Sequence, residues 1–445
     1  MVTIPLIRGF GAGSVFAHRG GRAIPVEEFL RDVRQLADRL PERRHVLNLC
    51  ADRYRFAVGF AAALLRGQVN LLPPNETPDL LARLVSEYPD VYCLSDRPEA
   101  PVQLESVSFP DPTEHVPERP LIPVVPESQV AAVVFTSGST GDPVPHRKTW
   151  GGLVGVASAE LDSLGLRAQA GLALVGTVPP QHVFGLETTV LAVMQGGLAL
   201  HSRRSFYPAD IRADLSSLPR PRGLVTTPVH LRVLLAEPEA LPPADFLLCA
   251  TAPLSPQLAA QAEGRFGAPL YEIYGCTESG GIASRRAVQT GEWSAMRGTA
   301  LRTDVKGTWI KGGHADCEVL LADVIELRGG SKFLLHGRTA DLVNIAGKRT
   351  SLAYLNYHLN SIEGVRDGAF VVPEDRGEGV TRLMAYVVAP ALASETLMNA
   401  LRQRIDAAFL PRPVCFVDVL PRNATGKLPR GALEELATAP ARKTG

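Results

Sequence analysis

A chain of 445 residues is several times the size of one folding unit, so two or three domains with sizeable cores are expected. Its 46 basic and 46 acidic side chains cancel, and no run of lysine or arginine coats one stretch, which argues against a nucleic-acid partner. Apolar stretches such as Phe56 to Leu65 are too short to cross a bilayer, and the opening MVTIPLIRGFGAG lacks the parts of a signal peptide, so a cytoplasmic protein without a transmembrane segment is expected. The six cysteines (Cys50, Cys93, Cys249, Cys276, Cys317, Cys415) form no Cys-x-x-Cys pair and no Cys/His cluster at zinc spacing; buried thiols are expected.

In chain order, Val26, Phe29, Leu30, Val33, Leu36, Ala37 and Leu40 recur at helical spacing and predict an amphipathic helix. His45 to Leu49 reads as a buried strand, Tyr54 to Arg66 as a helix, and Val69 to Leu72, ended by Pro73 and Pro74, as another strand. Alternation of this kind predicts an α/β fold, a parallel sheet with helices on its faces. Eight prolines from Pro98 to Pro126 exclude a helix or a central strand there and leave an extended surface connection. Strand-like segments resume at Gly171 to Val178, Gly223 to Thr227 and Phe246 to Ala250, each followed by a helix-like stretch. Near Gly337 the texture changes to short strands (Gly368 to Val372, Leu383 to Val388, Val414 to Val419) and a helix carrying Leu397, Leu401 and Ile405, which predicts a small separate domain. The expected division is residues 1–337 and 338–445.

The sequence FTSGST at Phe135 to Thr140, closed by Gly141, directly follows the apolar run Val130 to Val134. Glycines let backbone N–H groups converge on an anion, and hydroxyls add donors, so the loop suits phosphate oxygens; a plain surface turn is the alternative. A Walker A loop fails because the second glycine position, counted from Gly138, holds Pro143. A nucleophile elbow around Ser139 fails because its first glycine is Ser137.

Four further stretches accompany it in order: Tyr274-Gly275-Cys276-Thr277-Glu278, Gly337-Arg338-Thr339-Ala340-Asp341, Asn344-Ile345-Ala346-Gly347-Lys348-Arg349, and Leu420 to Lys427 with its Thr425-Gly426-Lys427 end. Together these resemble the signature set of the adenylate-forming (AMP-binding) superfamily, in particular its acyl-CoA synthetases and aryl-CoA ligases, over about 290 residues. The resemblance implies a large N-terminal domain of parallel and mixed sheets with flanking helices, plus a small mobile α+β domain that carries a catalytic lysine. It also implies the reaction: a carboxylate attacks the α-phosphate of ATP, pyrophosphate leaves, and a thiol then displaces AMP. Two unit charges ~4 Å apart repel by roughly 4 kcal/mol at an effective dielectric near 20, so such a site must supply cations and oriented dipoles.

By that resemblance Thr136, Ser137, Gly138, Ser139, Thr140 and Gly141 wrap the phosphates of ATP. Glu278, with Thr140, holds Mg²⁺, a hard cation that takes oxygen ligands. Thr277 reaches the α-phosphate, Tyr274 and Gly275 meet adenine on one side, and Thr251, Ala252 and Pro253 form the facing wall. Asp323 and Arg338 bind the ribose. Lys427 brings its ammonium to the reacting carboxylate, and Gly347 and Arg349 belong to the face that meets the thiol channel. His182, in Pro179 to Gly185, positions the carboxylate or lines the thiol exit, with a buried structural histidine as the alternative. Val183 stands where amino-acid-activating relatives place an aspartate, and an ammonium without that counter-ion would be costly. A plain carboxylic acid is therefore the expected substrate, with CoA or the phosphopantetheine of an acyl carrier protein as acceptor.

The sequence departs from the pattern at several places, among them Asn344, where many relatives have lysine, and a shortened stretch from Gly281 to Asp323. Val144 replaces the lysine usual three residues after Gly141, with Arg147 and Lys148 as nearby substitutes, and Ala340 replaces a polar hinge residue. These departures leave open a degenerate, regulatory adenylate binder, although a pure binder has no use for Lys427. A hydrolase built on Ser139 is a third, weaker reading.

Overall fold

The computed structural model describes residues 2–97, 104–110, 121–137, 143–313, 315–338, 342–345, 348–372, 383–422 and 428. Local sequence and observed elements agree closely from Val26 to Leu72, after three short strands that the sequence pattern did not announce. The amphipathic stretch forms helix Val26–Ala37, and the apolar runs form strands His45–Asn48 and Val69–Leu72, with helix Arg53–Leu65 between them. Asp52 caps that helix by accepting the Arg55 backbone N–H.

These strands belong to a six-stranded sheet in the order Pro143–Thr149, Val130–Ser137, Val69–Leu72, His45–Asn48, Val91–Leu94, Ser106–Val107. It is parallel except at one edge, where Pro143–Thr149 folds back antiparallel on Val130–Ser137. An eleven-stranded sheet runs through the rest of the larger domain. Its centre is parallel, with Leu270–Cys276, Phe246–Cys249, Arg222–Thr226, Ala173–Gly176, Ala199–Arg204 and Val15–Arg19 as successive neighbours. Beyond Leu270–Cys276 it turns antiparallel through Gly280–Arg285, Trp293–Ala295, Lys332–Arg338 and Asp323–Leu327. The sheets are therefore mixed, because βα alternation stops after Cys276 and short connections there can only reverse the chain.

Helix Trp150–Ser163 joins the layers. Trp150, Leu153, Val154, Ala157 and Leu161 are buried in the largest apolar cluster, so the helix has no broad wet face. The smaller C-terminal domain has its own core of Leu355, Leu359, Phe370, Ala385, Val387, Leu397 and Leu401. Its strands are Asp367–Val371, Met384–Val388 and Val414–Phe416, and its second helix ends at Arg402, one turn before Ile405. Ile405 still packs in the core, so its helical spacing reported burial rather than helix length. Among the described residues no helix is long and apolar enough to cross a membrane.

Candidate active site

Strand Leu270–Cys276 ends in the turn Thr277 to Ser279 and returns as Gly280–Arg285. The two backbones approach so closely that a Cβ on Gly275 would collide with the carbonyl of Gly280, so only glycine fits there. Tyr274, one residue earlier, is braced by Trp293, with ring centroids 5.6 Å apart, and by Phe333 at 6.0 Å. Its hydroxyl donates to Asp323 Oδ2 at 2.9 Å. Asp323 in turn lies directly opposite Arg338 in the antiparallel register of Asp323–Leu327 with Lys332–Arg338. Three residues expected at adenosine thus come together from positions far apart in sequence.

The stretch expected as the facing wall, Thr251 to Pro253, carries strain. Thr251 has φ 80, and it is the one non-glycine residue at positive φ among the described residues. A β-branched side chain pays roughly 1–2 kcal/mol there, and such outliers persist where the surroundings hold them for a task. Ala252 and Pro253 follow it and line a cavity of about 180 Å³ shared with the C-terminal domain.

Glu278 occupies the turn with its side chain 40 % exposed. Burial works to raise its pKa, but its backbone N–H, the Cys276 thiol, His146 and Lys148 outweigh that, and the carboxyl is held below its ordinary value. Glu278 is therefore an anion at neutral pH, the form a hard cation requires. Lys148 and His146 were not singled out for this role from the sequence. Lys148 is 2 % exposed, and its Nζ donates to the Glu278 carbonyl at 2.8 Å. His146 Nε2 lies 3.9 Å from Glu278 Oε1, and burial pushes its imidazole pKa down despite that carboxylate. The signal was the strand period: Val144, His146 and Lys148 alternate onto one face of Pro143–Thr149. Val144 at the lysine position is exposed, while Lys148 is committed to the Glu278 turn.

Of the phosphate-loop residues, Gly138, Ser139, Thr140 and Gly141 lie outside the described residues, as do Gly347 and Lys427. Thr136, Ser137, Arg338 and Arg349 are described through the strands that carry them. Ser137 pairs with Pro143, so the two ends of the loop are neighbours across a hairpin. Thr277 and Cys276 are half-buried, and burial pushes the Cys276 thiol up to about 11, which leaves it neutral.

His182 sits half-buried at the N-terminal boundary of a short helix, Val183–Gly185, which continues as the π-helical turn Leu186–Leu191. π-turns are rare and concentrate at functional sites. Here Thr188 and Thr189 hydroxyls donate to the carbonyls of Phe184 and Gly185, satisfying groups near the altered register. The turn aims Glu187 at the Gly281 N–H, 3.2 Å away. Glu160, from helix Trp150–Ser163, lies beside Glu187, and both are at most 2 % exposed. Burial, and then the Glu187 carboxyl, push the Glu160 pKa well above the usual carboxylate range and favour its neutral form.

Among the described residues no group of three His, Cys, Asp or Glu side chains could cage a metal. One ionised glutamate still fits Mg²⁺, which is usually held by one or two carboxylates plus substrate phosphates.

Residues 37–305 match the profile of the AMP-binding enzyme family, and residues 358–427 match its C-terminal domain. The chain belongs to the AMP-binding enzyme family. This family member is 30 % identical over 305 residues to a 4-coumarate–CoA ligase of Rhodobacter capsulatus, covering 67 % of the chain and 75 % of that relative. Its fold is that of ATP-bound MatB from Rhodopseudomonas palustris, with TM-score 0.79, 18 % identity and 96 % of both chains covered. It is likewise that of the O-succinylbenzoate–CoA synthetase MenE from Bacillus subtilis, solved with ATP and a magnesium ion, with TM-score 0.77, 18 % identity, and 95 % and 96 % of the two chains covered.

Proposed function

We propose that this AMP-binding enzyme is an acid–thiol ligase: it converts a small carboxylic acid and ATP into an acyl- or aryl-adenylate and pyrophosphate, then transfers the acyl group to a thiol. The observation that carries the reading is the Tyr274–Asp323 hydrogen bond at 2.9 Å with Arg338 in register opposite, on the same strand that delivers Glu278. That arrangement supports an adenosine site one turn away from a metal-competent carboxylate. Similarity to a 4-coumarate–CoA ligase favours CoA as the acceptor over a carrier-protein thiol.

In this reading Tyr274 presents its ring to adenine against the Thr251 to Pro253 wall, and Asp323 and Arg338 take the ribose hydroxyls. When bound, Mg²⁺ neutralises phosphate charge and polarises the phosphorus toward attack. Glu278 is the residue that holds it, with Thr140, and Lys148 keeps the Glu278 turn in place. Thr136 to Gly141 cradle the phosphates, and Thr277 reaches the α-phosphate. Lys427 brings a point charge to the two reacting anions, and His182 orients the acid. Residues 1–337 form the nucleotide-binding domain, and 338–445 the domain that exchanges Lys427 for Gly347 and Arg349 between the half-reactions.

The test is carboxylate-dependent ATP–pyrophosphate exchange, followed by hydroxylamine trapping over aliphatic, benzoic and cinnamic acids. A ligase returns label from pyrophosphate into ATP only when its acid is present. Nucleotide binding without exchange for any acid would replace this reading with a regulatory binder. Repetition with CoA and with a phosphopantetheinylated carrier protein assigns the acceptor.

A further inference from the structure

The cavity beside Ala252 and Pro253 is closed on its far side by the C-terminal domain, and an acidic residue there is shared by two arginines. Asp367, at the start of strand Asp367–Val371, accepts from Arg422 twice, Nε to Oδ2 at 2.7 Å and Nη2 to Oδ1 at 2.9 Å. Arg232, from helix Pro228–Ala236 of the larger domain, places Nη1 3.6 Å from the same Oδ1. The three side chains are between 16 % and 19 % exposed, so water screens them far less than a surface pair. Burial lowers the pKa of Arg232, and the Asp367 charge opposes that effect.

Arg422 stands five residues before Lys427, a span of at most about 18 Å in extended chain. Leu428, immediately after Lys427, packs on the cluster of Ala369, Tyr386, Val388 and Leu420. Arg422 and Leu428, on either side of Lys427 in sequence, are thus both held by the C-terminal domain. Rotation of the small domain keeps Arg422 with Asp367, because both ride on it, and parts Arg232 from Asp367.

We infer that Asp367 and Arg232 are positioning residues: by gathering one arginine from each domain, Asp367 latches the small domain in the pose that shares the cavity beside Ala252 and Pro253. The inference rests on the ligase reading for its kinetic consequence and on geometry alone for its conformational one.

The experiment uses the full chain with a fluorophore pair attached through azido residues at Tyr207 and Val419, which are exposed on the two domains. Wild type is expected to give one dominant energy-transfer efficiency, R232M and D367N a second population, and R232K a distribution closer to wild type. In parallel, R232M should slow adenylation roughly 10-fold in kcat, between the effects of exposed and buried pairs, with KM for ATP within about 2-fold. Attack of CoA on chemically supplied acyl-adenylate should not slow. An unchanged efficiency distribution in both R232M and D367N would overturn the latch, as would equal loss of both half-reactions. A shifted distribution in a protein whose wild type lacks carboxylate-dependent exchange would leave the latch standing and remove the ligase reading.

Discussion

Replacing Lys148 with methionine removes one ammonium and keeps most of the apolar stem, so packing is largely spared. The ammonium donates to the Glu278 carbonyl at 2.8 Å from a position 2 % exposed. Hydrogen bonds from charged donors contribute about 1.5–3 kcal/mol, and deep burial makes about 2 kcal/mol a reasonable value here. The loss falls on the backbone of the residue that is to hold Mg²⁺. If the full 2 kcal/mol is felt there, the Mg²⁺ concentration for half-maximal adenylation rises about 30-fold, since 1.4 kcal/mol is tenfold. Pyrophosphate exchange measured across an Mg²⁺ titration reads this directly, and urea denaturation of the same variant reads stability. Adenylation at saturating Mg²⁺ should recover most of its wild-type rate. A stability loss near 2 kcal/mol with an unchanged Mg²⁺ dependence would refute the argument and make Lys148 a purely structural residue.

Lys427→Ala should slow adenylation roughly 10²–10³-fold while nucleotide binding persists in calorimetry, because one preorganised charge is lost from the reacting centre; undiminished exchange would exclude Lys427 from the chemistry. Gly347→Trp should spare exchange and impair thiol transfer, and equal loss of both would contradict the two-pose scheme. Glu160 has a folded pKa raised above its ordinary 4.5, so its stabilising contribution is complete below that value and is lost as pH rises through the folded pKa, at up to about 1.4 kcal/mol per pH unit. Denaturation of Glu160→Gln should therefore show a shallower fall in stability between pH 5 and 8 than wild type, and parallel curves would contradict the proton assignment. Thr251→Gly should relieve the positive φ and change stability by no more than about 1 kcal/mol in the favourable direction, the unfolded chain's added freedom offsetting part of the gain, while weakening AMP binding. A marked stability loss would show that Thr251 is held for packing rather than for the nucleotide.

Local pattern was enough to read the helices and strands between Val26 and Leu72 and the order of the motifs, but not the early strand Val15–Arg19 or the helix Pro78–Glu87. Apolar runs and caps act within a few residues of themselves, and motif spacing survives whatever the rest of the chain does. The switch from parallel to antiparallel pairing after Cys276 was not legible, because pairing direction depends on connection length and on which neighbour is free. Nor were the contacts that organise the site. Tyr274 meets Asp323 across 49 residues, Lys148 meets Glu278 across 130, and Arg232 meets Asp367 from another domain. In sequence Glu160 and Arg232 look like ordinary polar positions on a helix face, and Lys148 reads only as a stand-in for the lysine missing at Val144. Only the stacking of one element on another removes water from them, and that desolvation makes a single charge strong enough to hold a turn, keep a proton or latch a domain.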